Sequence, residues 1–359
     1  MPSEKHNNRK IKEYISELLY SNNLSVQDGI VTKTGNNITI EKGIIGPLKI
    51  ENNELRFSTV DIFDHPSDDI VIWRYMDWEK FEDLIKESKL YMSSPTKFTQ
   101  DKREGFPTRD IKNFIKSAIE NVYHLHLKPN YKKIIVGGIK LTGNSYRDLD
   151  VLTNMWKKIY SYCLPRFYIS CWTERDYESE QMWKSYIEKE EDRKTAIAIK
   201  TTVGNLKKSL KSSGLFDLAR VQYFDSKTLL QKTKEEYFRI LQGVYPLVRY
   251  MLLNKRDYFK DDKEIRLMTD NLMQNRTQWE KTSILSFCGD SDFDYEQPLE
   301  FEAMKIPIDL QTLIKEIRIS PWADSNFIDK VKELLEFQNI KGVQIEKSIL
   351  FIDEIYVDL

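Results

Sequence analysis

"RFYISCWTERDYESEQMWKSYIEKEEDRKTAIAIKTT", residues 166–202, decides the fold. Its first seven residues alternate in two sets, Phe167, Ile169 and Cys171 against Tyr168, Ser170 and Trp172, as a strand requires. The middle places Met182, Trp183, Tyr186 and Ile187 on one helical face. "TAIAIKTT" closes the unit with β-branched residues as a second strand. Strand, helix, strand in about forty residues predicts an α+β architecture.

The same grammar continues on both sides. "IVIWRYM" (70–76) reads as a strand, "DWEKFEDLIKESK" (77–89) as a helix capped by Asp77, and "LYMSSP" (90–95) as a returning strand. Helices are expected around 109–123 and 145–162, near 204–212, and from 227 to 253 with a break near Gly243 and Pro246. Strands follow at "RVQYF" and "EIRLMT", and the chain ends in strand, helix, strand, helix and strand from "EAMKIPI" to "VQIEKSI". The whole predicts a mixed, mainly antiparallel sheet with helices packed on it.

Upstream, "RKIKEYISELLYSN" (9–22) carries Ile11, Tyr14, Ile15, Leu18 and Leu19 at helical spacing, and "TGNN" and "ENNE" punctuate short strands between 30 and 60. "FDHPSDD" (63–69) gathers turn formers between two apolar runs. We therefore expect a helix-and-hairpin module over residues 1–68 and a main domain over 69–359.

Composition bounds the function. With 359 residues, 40% hydrophobic and 12% aromatic, the chain can bury a substantial core. Lys and Arg number 55 against 56 Asp and Glu, so the net charge of −1 demands neither nucleic acid nor an acidic membrane as partner. Nothing approaches the ~18 apolar residues of a membrane span, and the polar start predicts a cytoplasmic protein. Cys163, Cys171 and Cys288 lack CxxC spacing, and His124 and His126 have no acidic neighbours, so no metal is predicted. Phosphate-loop, dinucleotide, zinc-protease and serine-hydrolase motifs are missing.

Chemistry is then sought in four places. Trp172, Trp183 and Tyr186 are dense enough to be simple core, and the polar residues among them equally suit the walls of a ligand pocket. Arg74, beside Tyr75 in an aromatic strand, needs an anion or a hydrogen-bonding partner. Ser93, Ser94, Thr96 and Glu104 line the loop "SSPTKFTQDKREG" after the next strand. In "KRDYFKDDKEIRLMTD", a period of two puts Asp262, Glu264 and Arg266 on one strand face.

Taken in order, "WRYM", "LYMSSPTKF" with "EG" behind it, "YISCWTE", "ESEQMWKSY", "AIAIKTT", "VQYFD" and "KEIRL" resemble the bacterial domain-of-unknown-function family 2971 over residues 71–350. More distantly, the order arginine strand, serine strand end and late glutamate strand is similar to that of ADP-ribosyltransferases. That resemblance implies an NAD-using core in which Arg74 grips ribose and phosphates, Ser93 or Ser94 supports the site, and Glu264 is the catalytic glutamate. It implies that Asp262 aims at the acceptor and that Tyr75, Trp172, Trp183 and Tyr186 contact the cosubstrate. It implies an intracellular toxin or phage-defence effector acting on protein or nucleic acid. A non-catalytic module for nucleotide or single-stranded nucleic acid is the alternative, and a metal nuclease built on Asp101, Glu104 and Glu264 a more remote one.

Overall fold

The computed structural model describes residues 25–34, 37–46, 48–51, 54–57, 64–98, 141–187, 189–211, 215–224, 244–270 and 301–350, with shorter pieces between 104 and 140 and at 299. The expected helix at 9–22, most of that at 109–123, and the part of 227–253 before residue 244 lie outside the described residues.

In chain order the elements are β1 (Ser25–Thr34), β2 (Asn37–Gly46), β3 (Leu48–Glu51), β4 (Glu54–Phe57), β5 (Val71–Met76), α1 (Trp78–Glu87) and β6 (Lys89–Ser93). The short β7 (Ile135–Val136) and β8 (Ile139–Lys140) precede α2 (Ser145–Cys163), β9 (Phe167–Glu174), α3 (Glu180–Tyr186), α4 (Glu190–Arg193), β10 (Ile197–Thr202) and α5 (Val203–Ser209). Then come β11 (Leu215–Arg220), β12 (Gln222–Phe224), α6 (Val244–Leu252), β13 (Asn254–Arg256) and β14 (Glu264–Asp270). The chain closes with β15 (Ala303–Pro307), α7 (Leu310–Leu313), β16 (Glu316–Ile319), α8 (Phe327–Phe337) and β17 (Gln344–Lys347).

An 11-stranded mixed sheet organises these elements in the order β1-β2-β11-β14-β9-β5-β10-β16-β17, with β6 and β15 branching from β9. Its pairs are antiparallel except β2 with β11 and β16 with β17. The hairpin β1–β2 joins the sheet through β11.

Alternation along the strands separates two faces. Ile72, Met76, Tyr168, Trp172, Ile197, Ile199, Ile265 and Leu267 bury one face against α1, α5, α7 and α8. α1 starts where the sequence places it, because the Asp77 side chain accepts from the Lys80 amide at 2.9 Å. The opposite face is covered in two patches. Phe167, Ile169 and Met268 meet α2 and α6, whereas Trp73, Tyr75 and Ala198 meet Met182, Trp183 and Ile187 around α3. The strip of sheet between those patches is polar and carries Glu264 and Arg266, whereas Arg74 and Ser170 share the face of Ile199 and Trp172.

No helix among the described residues is long and apolar enough to cross a membrane. Because Trp183 is wholly buried, Trp183→Ala should lower stability in chemical denaturation by about 3–5 kcal/mol, the range for deleting a large buried ring. A loss under ~1 kcal/mol would place this ring outside the core.

Candidate active site

The sheet forks at β9. One edge of β9 pairs with β5 at its C-terminal end, Ile72 to Glu174 and Trp73 to Thr173. The same edge pairs with β6 at the other end, Ser93 to Ile169. Between these contacts β5 leaves β9 while keeping its full ladder with β10, so Ser170, Cys171 and Trp172 face the gap. Arg74 is the first residue of β5 beyond the last β9 pair.

Arg74 fills this gap with a half-buried guanidinium. Nη1 donates to the Ser170 hydroxyl oxygen, Nη2 donates to the Tyr91 carbonyl at 3.1 Å, and the group lies 5.6 Å from the Trp172 ring centre. Burial pulls its pKa below the ordinary value, while the Cys171 thiol and the Tyr186 and Tyr91 hydroxyls act the other way. Among the described residues no carboxylate reaches ion-pair distance of it. Two other strand arginines contrast with it: Arg220 holds Glu174 and Asp64, and Arg318 holds Glu316 and Glu346.

Arg266 differs most. It is 1% exposed on β14, two residues from Glu264 and on the same face. Its Nε donates to Glu264 Oε1 at 2.8 Å and its Nη2 to Oε2 at 3.0 Å. Nη2 also reaches Glu104, and Nη1 donates to the Leu252 carbonyl. Lys255 extends the set, with Nζ 3.2 Å from Glu264 and 2.9 Å from Asp262. Glu104, Arg266, Glu264, Lys255 and Asp262 therefore form one buried chain of alternating sign, ending in a carboxylate at both ends.

Burial alone would raise the Glu264 carboxyl, but Arg266 and then Lys255 hold it at about 2. Glu104 moves the opposite way, raised by burial that Arg266 only partly offsets and by the repulsion of Glu264. Burial, followed by Glu264, raises the Cys171 thiol and the Tyr186 hydroxyl well above their ordinary values.

The remaining expected residues separate by role. Trp172 and Trp183 are 1% and 0% exposed, so they pack rather than form open walls. Trp172 Nε1 donates to the same Ser170 hydroxyl oxygen that receives Arg74, and Trp183 Nε1 donates to Glu178 at 3.2 Å. The Tyr75 hydroxyl accepts from the Ser179 amide, which commits it to the loop after β9. Ser94 is fully buried and donates to the Pro165 carbonyl, whereas Ser93 stands at the base of the fork.

Asp262 is not on a strand with Glu264, contrary to the period-of-two reading. It ends a 3₁₀ turn at Asp257–Asp262, and Lys263 with φ of 44° reverses the backbone before β14 begins. Lys255, not a shared strand face, brings the two carboxylates together.

Sequence reasoning missed Lys255, counted Ser170 only among the polar residues beside the aromatic walls, and placed Glu104 only in the loop and in the nuclease alternative. A signal existed for Arg266, in its spacing from Glu264. For the nuclease reading, Asp101 lies outside the described residues, and Glu104 and Glu264 hold Arg266. No group of three or more His, Cys, Asp or Glu able to hold a metal occurs among the described residues.

No family model matches this chain, and no curated protein matches it. Among solved structures it is similar to Thermus sp. 2.9 DarT in complex with NAD+, at 10% identity and a TM-score of 0.26, over 79% of this chain and 97% of that one. A TM-score that low supports no conclusion about this chain, which leaves the site's own geometry.

Two outcomes follow from the charge chain. Removing one of its cations, by Arg266→Ala or Lys255→Ala, strands buried carboxylates and should cost about 3–5 kcal/mol in denaturant unfolding. The folded pKa of Glu264 is depressed from an ordinary 4.5 to about 2, so its stabilisation is complete above 4.5 and disappears as pH falls through 2. Unfolding measured from pH 6 to 2 should show this acid slope in the parent and a shallower one in Glu264→Gln; identical slopes would detach Glu264 from Arg266.

Proposed function

We propose that this protein binds NAD at the fork between β5 and β6 and acts as an ADP-ribosyltransferase-like enzyme. The observation that carries the reading is Arg74, a half-buried guanidinium fixed by Ser170 and the Tyr91 carbonyl and matched by no carboxylate among the described residues. A guanidinium so placed is completed by a phosphate, which accepts its remaining donors and neutralises its charge. NAD offers a pyrophosphate for that purpose.

Glu264 supplies the second half of the reading. The buried chain carries three carboxylates, Glu104, Asp262 and Glu264, against two cations, Lys255 and Arg266. That surplus negative charge suits a centre where positive charge develops. In the proposed reaction the bond from ribose carbon to nicotinamide nitrogen breaks, and its electron pair leaves with nicotinamide. The carboxylate field stabilises the positive charge on the ribose carbon, as in glycoside chemistry. An acceptor nucleophile then forms the new bond and gives up its proton. The resemblance noted in the sequence extends this to an intracellular effector of toxin or phage-defence type, with protein or nucleic acid as acceptor.

One observation favours a second reading, a nucleotide-binding module without turnover. Both Glu264 oxygens already accept from Arg266 or Lys255, so catalysis requires one of those bonds to be exchanged for a bond to the ligand.

Calorimetric titration with NAD, followed by measurement of released nicotinamide in the same sample, separates the two. The transferase reading expects binding with release. Arg74→Ala should weaken NAD binding by roughly 10–100-fold, the worth of a charge-assisted hydrogen-bond pair. Glu264→Gln should keep binding and lose release by on the order of 100-fold or more. Binding without release supports the module, and absence of NAD binding at millimolar concentration rejects the transferase.

A further inference from the structure

The alternating chain has a property that pairwise ion contacts do not reveal. Each cation that holds Glu264 also holds a second carboxylate. Arg266 has Glu104, and Lys255 has Asp262 at 2.9 Å. If Glu264 turns away, the remainder is two intact neutral pairs and neither cation is stranded. Turning either terminal carboxylate away has a different result, because its cation must then rely on Glu264.

We infer that Glu104 and Asp262 are positioning residues, reserve partners of Arg266 and Lys255 that let Glu264 exchange a cation for the ligand. The inference rests on the proposed function for its catalytic consequence. The exchange itself is a property of the protein alone. Glu104 reaches Arg266 from 162 residues away in sequence, on the segment after β6, and its side chain is 6% exposed. Placing a second buried carboxylate on an arginine already paired with Glu264 is costly. Such a group is expected where the first carboxylate has another use. Asp262 is placed similarly, delivered to Lys255 by the left-handed backbone at Lys263.

Three double variants test the exchange at constant charge. Glu104→Gln/Asp262→Asn, Glu104→Gln/Glu264→Gln and Asp262→Asn/Glu264→Gln each remove two of the three carboxylates, so their cluster charge is the same. The first leaves Glu264 bridging both cations. The second strands Arg266 and the third strands Lys255. Thermal unfolding at pH 7, compared with the single variants, should give additive Tm losses for the first pair. The other two should lose roughly 5 °C or more beyond the sum of their singles. Equal departures from additivity in all three doubles would mean that only total charge matters, and would overturn the inference.

The catalytic consequence is read by kcat and KM for nicotinamide release. Without Glu104, Arg266 has Glu264 as its sole carboxylate and holds it more tightly. Glu104→Gln should therefore lower kcat on the order of 10-fold and leave KM within about twofold, with Glu104→Asp recovering part of the loss. An unchanged kcat in a folded Glu104→Gln variant overturns the positioning role. A parent that binds no NAD instead rejects the proposed function, and the Tm comparison alone then decides the exchange.

Discussion

Arg266 is the constraint on which the surrounding structure depends. An arginine with 1% exposure is tolerable only when its donors are met by acceptors of matching charge and geometry. Here the acceptors come from separate parts of the chain. Glu264 lies on the same strand, Glu104 on the segment after β6, and the Leu252 carbonyl at the end of α6. One guanidinium thus ties three segments into the polar strip between two apolar patches. The Phe98 ring lies 5.4 Å from it, so the cation is also shielded on the side of the loop that leads to Glu104.

The fork in the sheet follows from ordinary strand pairing taken to its limit. β5 prefers β10, with six register pairs, over β9, with two. β6 in turn is matched along its whole length by β15 and touches β9 once. On this edge of β9 both neighbours, β5 and β6, are held by more extensive partners, and the two are drawn apart. Arg74 spans the resulting gap by bonding to Ser170 on one side and to the Tyr91 carbonyl on the other. Its place is therefore set by a β9 hydroxyl on one side and the β6 backbone on the other.

Local patterns made much of the fold legible. The alternation of 167–174, the Asp77 cap and the helical face of Met182 and Trp183 depend on neighbours in sequence, and the structure reproduces them. The spacing of Glu264 and Arg266 likewise survives as a direct ion pair. What sequence spacing did not reveal was long-range or conformational. Nothing local brings Glu104 to Arg266. The period-of-two reading failed at Asp262 because a positive φ at Lys263, where a lysine is an unusual occupant, breaks the strand face. The aromatic stretch was ambiguous because core and pocket use the same residues, and only burial separates Trp183 from Tyr186.

Two arginines two strands apart, Arg74 on β5 and Arg266 on β14, therefore occupy opposite electrostatic situations across β9. Arg266 is surrounded by more carboxylate than it can neutralise, and Arg74 by neutral oxygens alone among the described residues. Moving one of the excess carboxylates to Arg74 would relieve both, yet the fold keeps them on separate strands, with β9 between. A sheet optimised only for stability has no use for that separation. The strand register accounts for the separation, because Arg74 shares a face with Ile199 and Trp172 while Arg266 shares the other with Cys171, so the two charge environments are divided by the sheet itself.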